Sequence, residues 1–197
     1  SNQAGSTFLQ VAFGNGTGAF PTNSVVGAGD NVRDNIKVAD MDGDGDLDII
    51  TGGWTSTLRL YNNDGPGNFS LGLVIPSTGP VITLLLAADL NGDNAVDVVT
   101  TSSANILEVR LNNGSGGFDT PMPFTNGPTG YNTRQAVLVD WNNDGKADIA
   151  TVNADVFNPN GSNTVTVLPG NGNGTFGLPI TLPGYRNNFT IGAGNFK

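Results

Sequence analysis

The sequence predicts an all-β fold, a β-propeller built of four-stranded antiparallel blades. Two observations lead to this prediction. Acidic segments with the same spacing begin at Asp40, Asp89 and Asp140, 49 and then 51 residues apart, and a period of that size is typical of repeat proteins. Short β-branched runs flank each segment and glycine-rich turns separate them, as expected of antiparallel strands. With 197 residues, the chain is long enough for one domain with a hydrophobic core.

The composition excludes several classes of protein. Hydrophobic residues make up 37% of the chain and charged residues 13%, which is typical of a globular domain. The chain has neither cysteine nor histidine, so it lacks the commonest general base and the commonest transition-metal ligand. The net charge of -9 argues against a nucleic-acid partner, and no apolar run is long enough for membrane insertion.

Each repeat begins with an apolar run that predicts its first strand, strand A. These runs are IKVAD at 36–40, ITLLLAAD at 82–89 and QAVLVD at 135–140. The second is almost continuously apolar, which suits an inner strand that is buried on both faces between neighbouring blades.

The acidic segments follow strand A and share the pattern Asp, x, Asp or Asn, x, Asp, Gly or Asn, x, x, Asp. They are DMDGDGDLD at 40–48, DLNGDNAVD at 89–97 and DWNNDGKAD at 140–148, and they hold eleven of the seventeen acidic residues. Oxygens at positions 1, 3, 5, 7 and 9 can enclose one calcium ion, which takes roughly six to eight oxygen ligands. Position 6 must be left-handed, and Gly45, Asn94 and Gly145 suit it. Three copies favour calcium loops over solvated acidic turns.

The residues after these loops exclude an EF-hand. An EF-hand has a bidentate glutamate at position 12 and continues as a helix, whereas position 12 here is Thr51, Thr100 or Thr151. The β-branched runs that follow the loops predict strand B. These runs are LDIITGG, VDVVTTS and ADIATVN.

Strands C and D complete each repeat. TLRLYNN, ILEVRLNN and TVTVLPG predict strand C. Glycine-rich turns that end in phenylalanine then lead to strand D, because Asn-Gly sequences favour tight hairpins. The turns are NDGPGNF, NNGSGGF and GNGNGTF, with a further copy, FGNGTGAF, at 13–20. Four antiparallel strands in about 50 residues make one propeller blade.

With these loops and turns, the chain resembles the FG-GAP/VCBS calcium-binding repeat proteins over nearly its whole length. That family includes integrin α-chain propellers, some fungal lectins and many bacterial surface proteins. The resemblance implies about three structural calcium sites and a role in recognition or adhesion. The side-chain ligands that it implies are Asp40, Asp42, Asp44, Asp48, Asp89, Asn91, Asp93, Asp97, Asp140, Asn142, Asp144 and Asp148. The backbone ligands that it implies are the carbonyl groups of Asp46, Ala95 and Lys146.

The repeats divide the chain into parts of a single propeller segment. Residues 1–33 are predicted to form strands C and D of a partial blade, residues 34–80, 81–130 and 131–184 three complete blades, and residues 185–197 strand A of a further blade. We therefore expect a segment of a longer repeat protein. The alternative is that the last strand A joins the N-terminal hairpin, within one chain or between two, because open blade edges favour self-association.

The predicted blade places its loops on two opposite faces. The A–B and C–D turns share the calcium face, while the B–C loops and D–A connections form a ligand face, where binding residues are expected. The candidates on the ligand face are Trp54, Arg33, Tyr131, Arg134, Phe157, Tyr185 and Arg186. Trp54 suits packing between blades as well as stacking on a sugar. Trp141, at position 2 of the third loop, is predicted to pack in the core.

Three functions fit these features. The first is a calcium-stabilised extracellular module for protein contact or cell adhesion, without catalysis. The second is a carbohydrate-binding lectin that uses the ligand face. The third is a non-catalytic domain of a larger secreted enzyme. Catalysis by the chain itself is disfavoured because Glu108 is the only glutamate and most aspartates belong to the calcium loops. Both a protein and a glycan partner fit the sequence.

Overall fold

The computed structural model is all-β in the residues that it describes, which are 8–28, 32–53, 56–65, 67–79, 82, 84–101, 106–128, 131–155, 162–186 and 191–192. These ranges contain fourteen strands and no helix. The predicted all-β class is confirmed. Within these ranges, the chain forms no helix that is long and apolar enough to cross a membrane.

The strands form one two-stranded sheet and three four-stranded sheets. The N-terminal sheet consists of β1 (Phe8–Phe13) and β2 (Thr22–Ala28). The first full sheet consists of β3 (Val32–Ala39), β4 (Asp48–Gly53), β5 (Thr57–Asn63) and β6 (Phe69–Pro76). The second full sheet consists of β7 (Leu84–Ala88), β8 (Asp97–Thr101), β9 (Ile106–Arg110) and β10 (Met122–Thr125). The third full sheet consists of β11 (Tyr131–Val139), β12 (Asp148–Asp155), β13 (Ser162–Leu168) and β14 (Ile180–Arg186).

The strands of each full sheet lie in chain order, and each pairs antiparallel with the next. This is the order predicted for strands A to D, so the four-stranded antiparallel repeat is confirmed. In the part of the chain that the structure describes, the sheets do not form a closed ring. The propeller therefore stays a prediction.

The hydrophobic core is divided among the junctions between successive sheets. Each cluster draws residues from two neighbouring sheets, because a sheet has to bury its apolar face against another layer. At the first junction Leu9 of the N-terminal sheet meets Ile49 and Tyr61 of the first full sheet. The second cluster includes Ile50, Leu58, Leu60, Leu85 and Val98, and the third includes Leu107, Val109, Ile149 and Phe176.

One aromatic side chain recurs at each junction. The phenylalanine that ends a glycine-rich turn packs on the cluster it shares with the sheet before it, as Phe69, Phe118 and Phe176 do. Phe176 meets Phe124 of the second full sheet edge to face, with ring centroids 5.5 Å apart. The C–D turn thus fastens each sheet to its predecessor.

Candidate metal sites and ligand face

The three acidic loops connect strands A and B of the three full sheets. Position 6 of each loop has a left-handed backbone, with φ of 95° at Gly45, 69° at Asn94 and 80° at Gly145. Glycine has no Cβ to clash in this region, and asparagine tolerates it better than most residues. The predicted turn residue is confirmed in all three loops.

Position 4 is left-handed as well, which was not predicted. The φ values there are 81° at Gly43, 82° at Gly92 and 61° at Asn143. The signal is present in the sequence, because this position too holds only glycine or asparagine. The two left-handed residues curl the backbone around the aspartate at position 1.

The aspartate at position 1 accepts hydrogen bonds from this curled backbone. The Asp40 carboxylate accepts from the amide of Gly43 at 2.8 Å and from the amide of Gly45 at 3.0 Å. The corresponding bonds run from Gly92 and Asn94 to Asp89, whereas in the third loop Asp140 accepts from Gly145 and from Asp144, one residue after position 4. The backbone of each loop therefore holds the carboxylate at position 1 in place.

The aspartate at position 9 ties the loop to the C–D turn. Asp48 is fully buried, and its two oxygens accept from the amides of Met41 at 2.8 Å and Asn63 at 2.9 Å. Equivalent pairs of bonds reach Asp97 from Leu90 and Asn112, and Asp148 from Trp141 and Gly170. The A–B loop and the C–D turn consequently lie at the same end of each sheet, as predicted.

The donor set of the first loop fits calcium. One carboxylate oxygen each from Asp40, Asp42 and Asp48 lie within 4.8 Å of one another. Calcium–oxygen distances are about 2.3–2.6 Å, so oxygens at this separation can share one ion. An all-oxygen set without histidine or cysteine is also the set that calcium prefers.

The second and third loops differ at position 3, where an asparagine replaces the aspartate. Asn91 donates through Nδ2 to Asp93 at 2.8 Å, and Asn142 donates in the same way to Asp144 at 3.1 Å. The amide oxygen of each asparagine accepts a backbone N–H within its loop. These loops hold one carboxylate fewer at the centre than the first loop.

The other predicted ligand positions follow the same curve. The position-5 carboxylate accepts the amide of the residue at position 7, in the pairs Asp44–Asp46, Asp93–Ala95 and Asp144–Lys146, at 2.8, 2.8 and 2.9 Å. All fifteen predicted metal-site residues therefore belong to three loops of one geometry. Their role as ligands stays a prediction.

Burial, backbone hydrogen bonds and neighbouring charges shift the pKa of three of these carboxyl groups. Burial and then the charge of Asp48 raise the pKa of Asp42. Burial is also the main cause of a raised pKa at Asp97. Burial pushes the pKa of Asp89 upward too, but hydrogen bonds from four backbone amides outweigh it and lower that pKa. A cation in the first loop would relieve the repulsion at Asp42.

The prediction that Trp141 packs in the core is wrong. Met41 and Leu90, at the same loop position, are 1% and 6% exposed, whereas Trp141 is 49% exposed. The turn of the following sheet covers Met41 and Leu90, and no such turn follows β14 in the residues described. Burial at this position is supplied by the next repeat.

Two of the ligand-face candidates, Tyr131 and Arg134, lie at the end of the third full sheet opposite its acidic loop. Tyr131 is half-buried and Arg134 is exposed, and both lie on β11. A bulge between Thr133 and Gln135 leaves Arg134 outside the pairing with β12, and bulges often redirect a side chain at a binding site. Trp54, Phe157 and the side chains of Arg33, Tyr185 and Arg186 lie outside the described residues.

A buried polar cluster links the second full sheet to the third. No sequence motif predicts it. Asn126 is fully buried after β10, and its amide group donates to Thr133 at 2.6 Å and Asn153 at 3.2 Å. Its carbonyl oxygen accepts from Thr151 at 2.8 Å, and Thr166 joins through Asn153 at 3.1 Å. Isolated asparagines and threonines in strands give no signal until the sheets are placed together.

The glutamate of the chain has a structural role. Glu108 on β9 is buried, forms an ion pair with Arg110 at 3.5 Å and accepts a hydrogen bond from Thr78. Arg110 also donates to the carbonyl of Pro76 at 2.6 Å, at the end of β6. Burial lowers the pKa of Arg110, and the charge of Glu108 opposes this. The pair links the second full sheet to the first.

The family described as an FG-GAP-like repeat matches residues 40–100 and 89–151. Together these matches span more than half of the 197 residues. The chain therefore belongs to the FG-GAP-like repeat family, which confirms the resemblance seen in the acidic loops and glycine-rich turns.

Among solved structures, the chain is similar to an Agrocybe aegerita lectin that specifically recognises non-reducing terminal N-acetylglucosamine. The two are 26% identical, with a TM-score of 0.62 over 91% of this chain and 47% of the lectin. The chain thus spans about half of the length of that lectin. The family and this neighbour fit a β-propeller-like recognition module.

A second similarity, to the Photorhabdus luminescens Tc holotoxin pore, is much weaker. The identity is 17% and the TM-score 0.41, over 92% of this chain and 11% of the toxin chain. No curated protein sequence matches the chain.

Proposed function

We propose that this chain is a calcium-stabilised glycan-recognition module of the β-propeller type, without catalytic activity. The similarity to the N-acetylglucosamine-recognising lectin over 91% of the chain is the observation on which the proposal depends. The ligand class is a glycan that ends in N-acetylglucosamine. The FG-GAP-like repeats support a recognition role as well.

Calcium has a structural role in this proposal. The converging oxygens of Asp40, Asp42 and Asp48 support a site in the first loop, and the shared geometry supports equivalent sites in the other two. We expect the second and third loops to bind calcium more weakly, because asparagine replaces one carboxylate in each. Loops of modest affinity fill at millimolar calcium, which favours an extracellular location.

The ligand face supplies groups that suit a sugar. Tyr131 carries an aromatic ring, which stacks on the apolar face of a pyranose, and Arg134 carries five N–H donors for hydroxyl and carbonyl oxygens. Both lie on β11, so a rigid sheet fixes their backbone positions. The exposure of Arg134 at a bulge supports its access to a ligand.

A glycan array in millimolar calcium, with an EDTA control, tests the proposal. We expect binding to glycans with terminal N-acetylglucosamine, lowered by about tenfold in Tyr131→Ala and in Arg134→Ala, since such side chains are often hot spots. Lys37→Ala is the control, because it removes one positive charge near the calcium end of β3 and not from the ligand end. Folded protein that binds no glycan would overturn the lectin function and favour protein contact.

A further inference from the structure

Each junction between two full sheets uses the same parts, and the first-to-second junction shows them. The turn phenylalanine of the later sheet, Phe118, packs on the cluster that contains Met41 and Ile75 of the earlier sheet. Asn112, in the same turn, donates through Nδ2 to the carbonyl of Met41 at 2.7 Å. The earlier sheet thus offers a receptor made of its loop position 2 and its outer strand.

The second-to-third junction repeats this arrangement. Phe176 packs among Leu90, Met122 and Phe124 of the second full sheet. The amide of Gly174, in the same turn, donates to the carbonyl of Leu90 at 3.0 Å. Loop position 2 and the outer strand again form the receptor.

One glycine in each turn shows how closely the turn approaches the preceding repeat. A Cβ added to Gly67 would lie 2.4 Å from Phe13, the last residue of β1, and one added to Gly174 would lie 2.5 Å from Leu111, directly after β9. The corresponding glycine of the N-terminal sheet is Gly18, and a Cβ there would meet nothing within 4 Å. Its turn has no receptor in the described residues.

The third full sheet carries a receptor that no described residue fills. Ile180 and Leu182 pair with β13 as Met122 and Phe124 pair with β9, so they occupy the equivalent positions on the outer strand. Trp141 occupies the position of Leu90. The three receptor residues, which we call the trailing face, are Trp141, Ile180 and Leu182, and they are 49%, 38% and 43% exposed.

The N-terminal sheet carries the complementary part. Its turn at 13–20, which we call the leading turn, ends in Phe20, the counterpart of Phe118 and Phe176. Phe176 is 9% exposed in its receptor, whereas Phe20 is 67% exposed. Among the described residues, Phe20 is therefore an exposed apolar side chain of the type that fills the internal receptors, and the trailing face is an exposed receptor.

We propose that the trailing face of one chain binds the leading turn of a second copy of this chain. A second copy is the occupant because the leading turn is the same part that fills the receptor at both internal junctions. The contact is head to tail, and two such contacts make a closed dimer if the rotation between copies closes the ring. It is a face-to-face contact of side chains and needs no exchange of strands. It does not depend on glycan binding.

Sedimentation equilibrium of the full chain over micromolar concentrations tests this proposal. We expect a mass that rises with concentration above that of a single chain of 20.2 kDa. Phe20→Lys and Leu182→Lys should each raise the dissociation constant of the dimer by at least about tenfold, because each places a charge in a buried apolar contact. Each substitution to lysine makes the net charge of -9 less negative, so electrostatic repulsion between chains cannot explain a loss of association.

Val74→Lys is the matched control. Val74 is 44% exposed on β6, an outer strand like that of Leu182, but it lies outside the trailing face. Thermal melts should show that all three variants are folded. A mixture of Phe20→Lys and Leu182→Lys should associate more tightly than either variant alone, because one intact contact can form. The mass of a single chain at every concentration, an equal loss in Val74→Lys, or no gain on mixing would each overturn the proposal.

Discussion

In each of the three repeats, one aspartate joins the acidic A–B loop to the C–D turn. Asp48, Asp97 and Asp148 are fully buried, yet each accepts backbone hydrogen bonds from its own loop and from the C–D turn. Charge-assisted bonds of this kind offset the cost of burying a carboxylate. The residue at position 9 therefore fixes the C–D turn to the acidic loop through backbone hydrogen bonds.

Asp42 allows a pH-dependent prediction, since its folded-state pKa is raised. The folded protein then binds the proton more tightly than the unfolded chain, and the free energy of unfolding falls as pH rises through that raised pKa. In EDTA, Asp42→Asn should therefore be more stable than the original protein at neutral pH. This advantage should disappear as the pH falls toward the ordinary range of aspartate. In excess calcium the order should reverse, because the variant loses a ligand.

Urea unfolding at several pH values, with EDTA or with calcium, measures this difference. Asp46→Asn is the control. Asp46 lies in the same loop as Asp42, but it is predicted to offer only its backbone carbonyl to the ion. A variant at Asp42 that is destabilised equally in both solutions at every pH would contradict the prediction.

At the scale of elements, the strands and turns could be predicted because their signals are local. Left-handed turn positions require glycine or asparagine, and the strands between them carry β-branched residues. The exposure of Trp141 could not be predicted, because burial at its position comes from the next repeat. The cluster around Asn126 could not be predicted either, since it forms only when β10 meets β11, β12 and β13.

This cluster supports a prediction about the junction between the second and third full sheets. Asn126→Ala should lower the free energy of unfolding by about 1–3 kcal/mol, because it leaves the buried hydroxyl of Thr151 and the carbonyl of Asn153 short of partners. Chemical denaturation measures the loss. Asn68→Ala, at an exposed turn position, should change the stability by less than about 0.5 kcal/mol. An equal effect of the two substitutions would show that the polar cluster contributes no more to the free energy of unfolding than an exposed turn residue does.

At the scale of the whole molecule, each sheet depends on its neighbours for burial of its apolar face. The three clusters and the turn phenylalanines cross from one sheet to the next, and so do the hydrogen bonds that join Glu108 to Thr78 and Arg110 to Pro76. The first and second acidic loops lie at these crossings, because the carbonyls of Met41 and Leu90 accept hydrogen bonds from Asn112 and Gly174 in the C–D turn of the next repeat. Order in a loop is thereby transmitted to the junction beside it.

Calcium should therefore stabilise the chain as a whole and not only its loops. A ligand at one hundred times its dissociation constant adds about 2.7 kcal/mol per site to the free energy of unfolding. We expect EDTA to lower the melting temperature and added calcium to restore it. Asp40→Asn should remove more of the calcium-dependent gain than Asp140→Asn, because the first loop concentrates three carboxylates. A melting temperature that is the same in EDTA and in millimolar calcium would show that the acidic loops are held by their backbone hydrogen bonds alone.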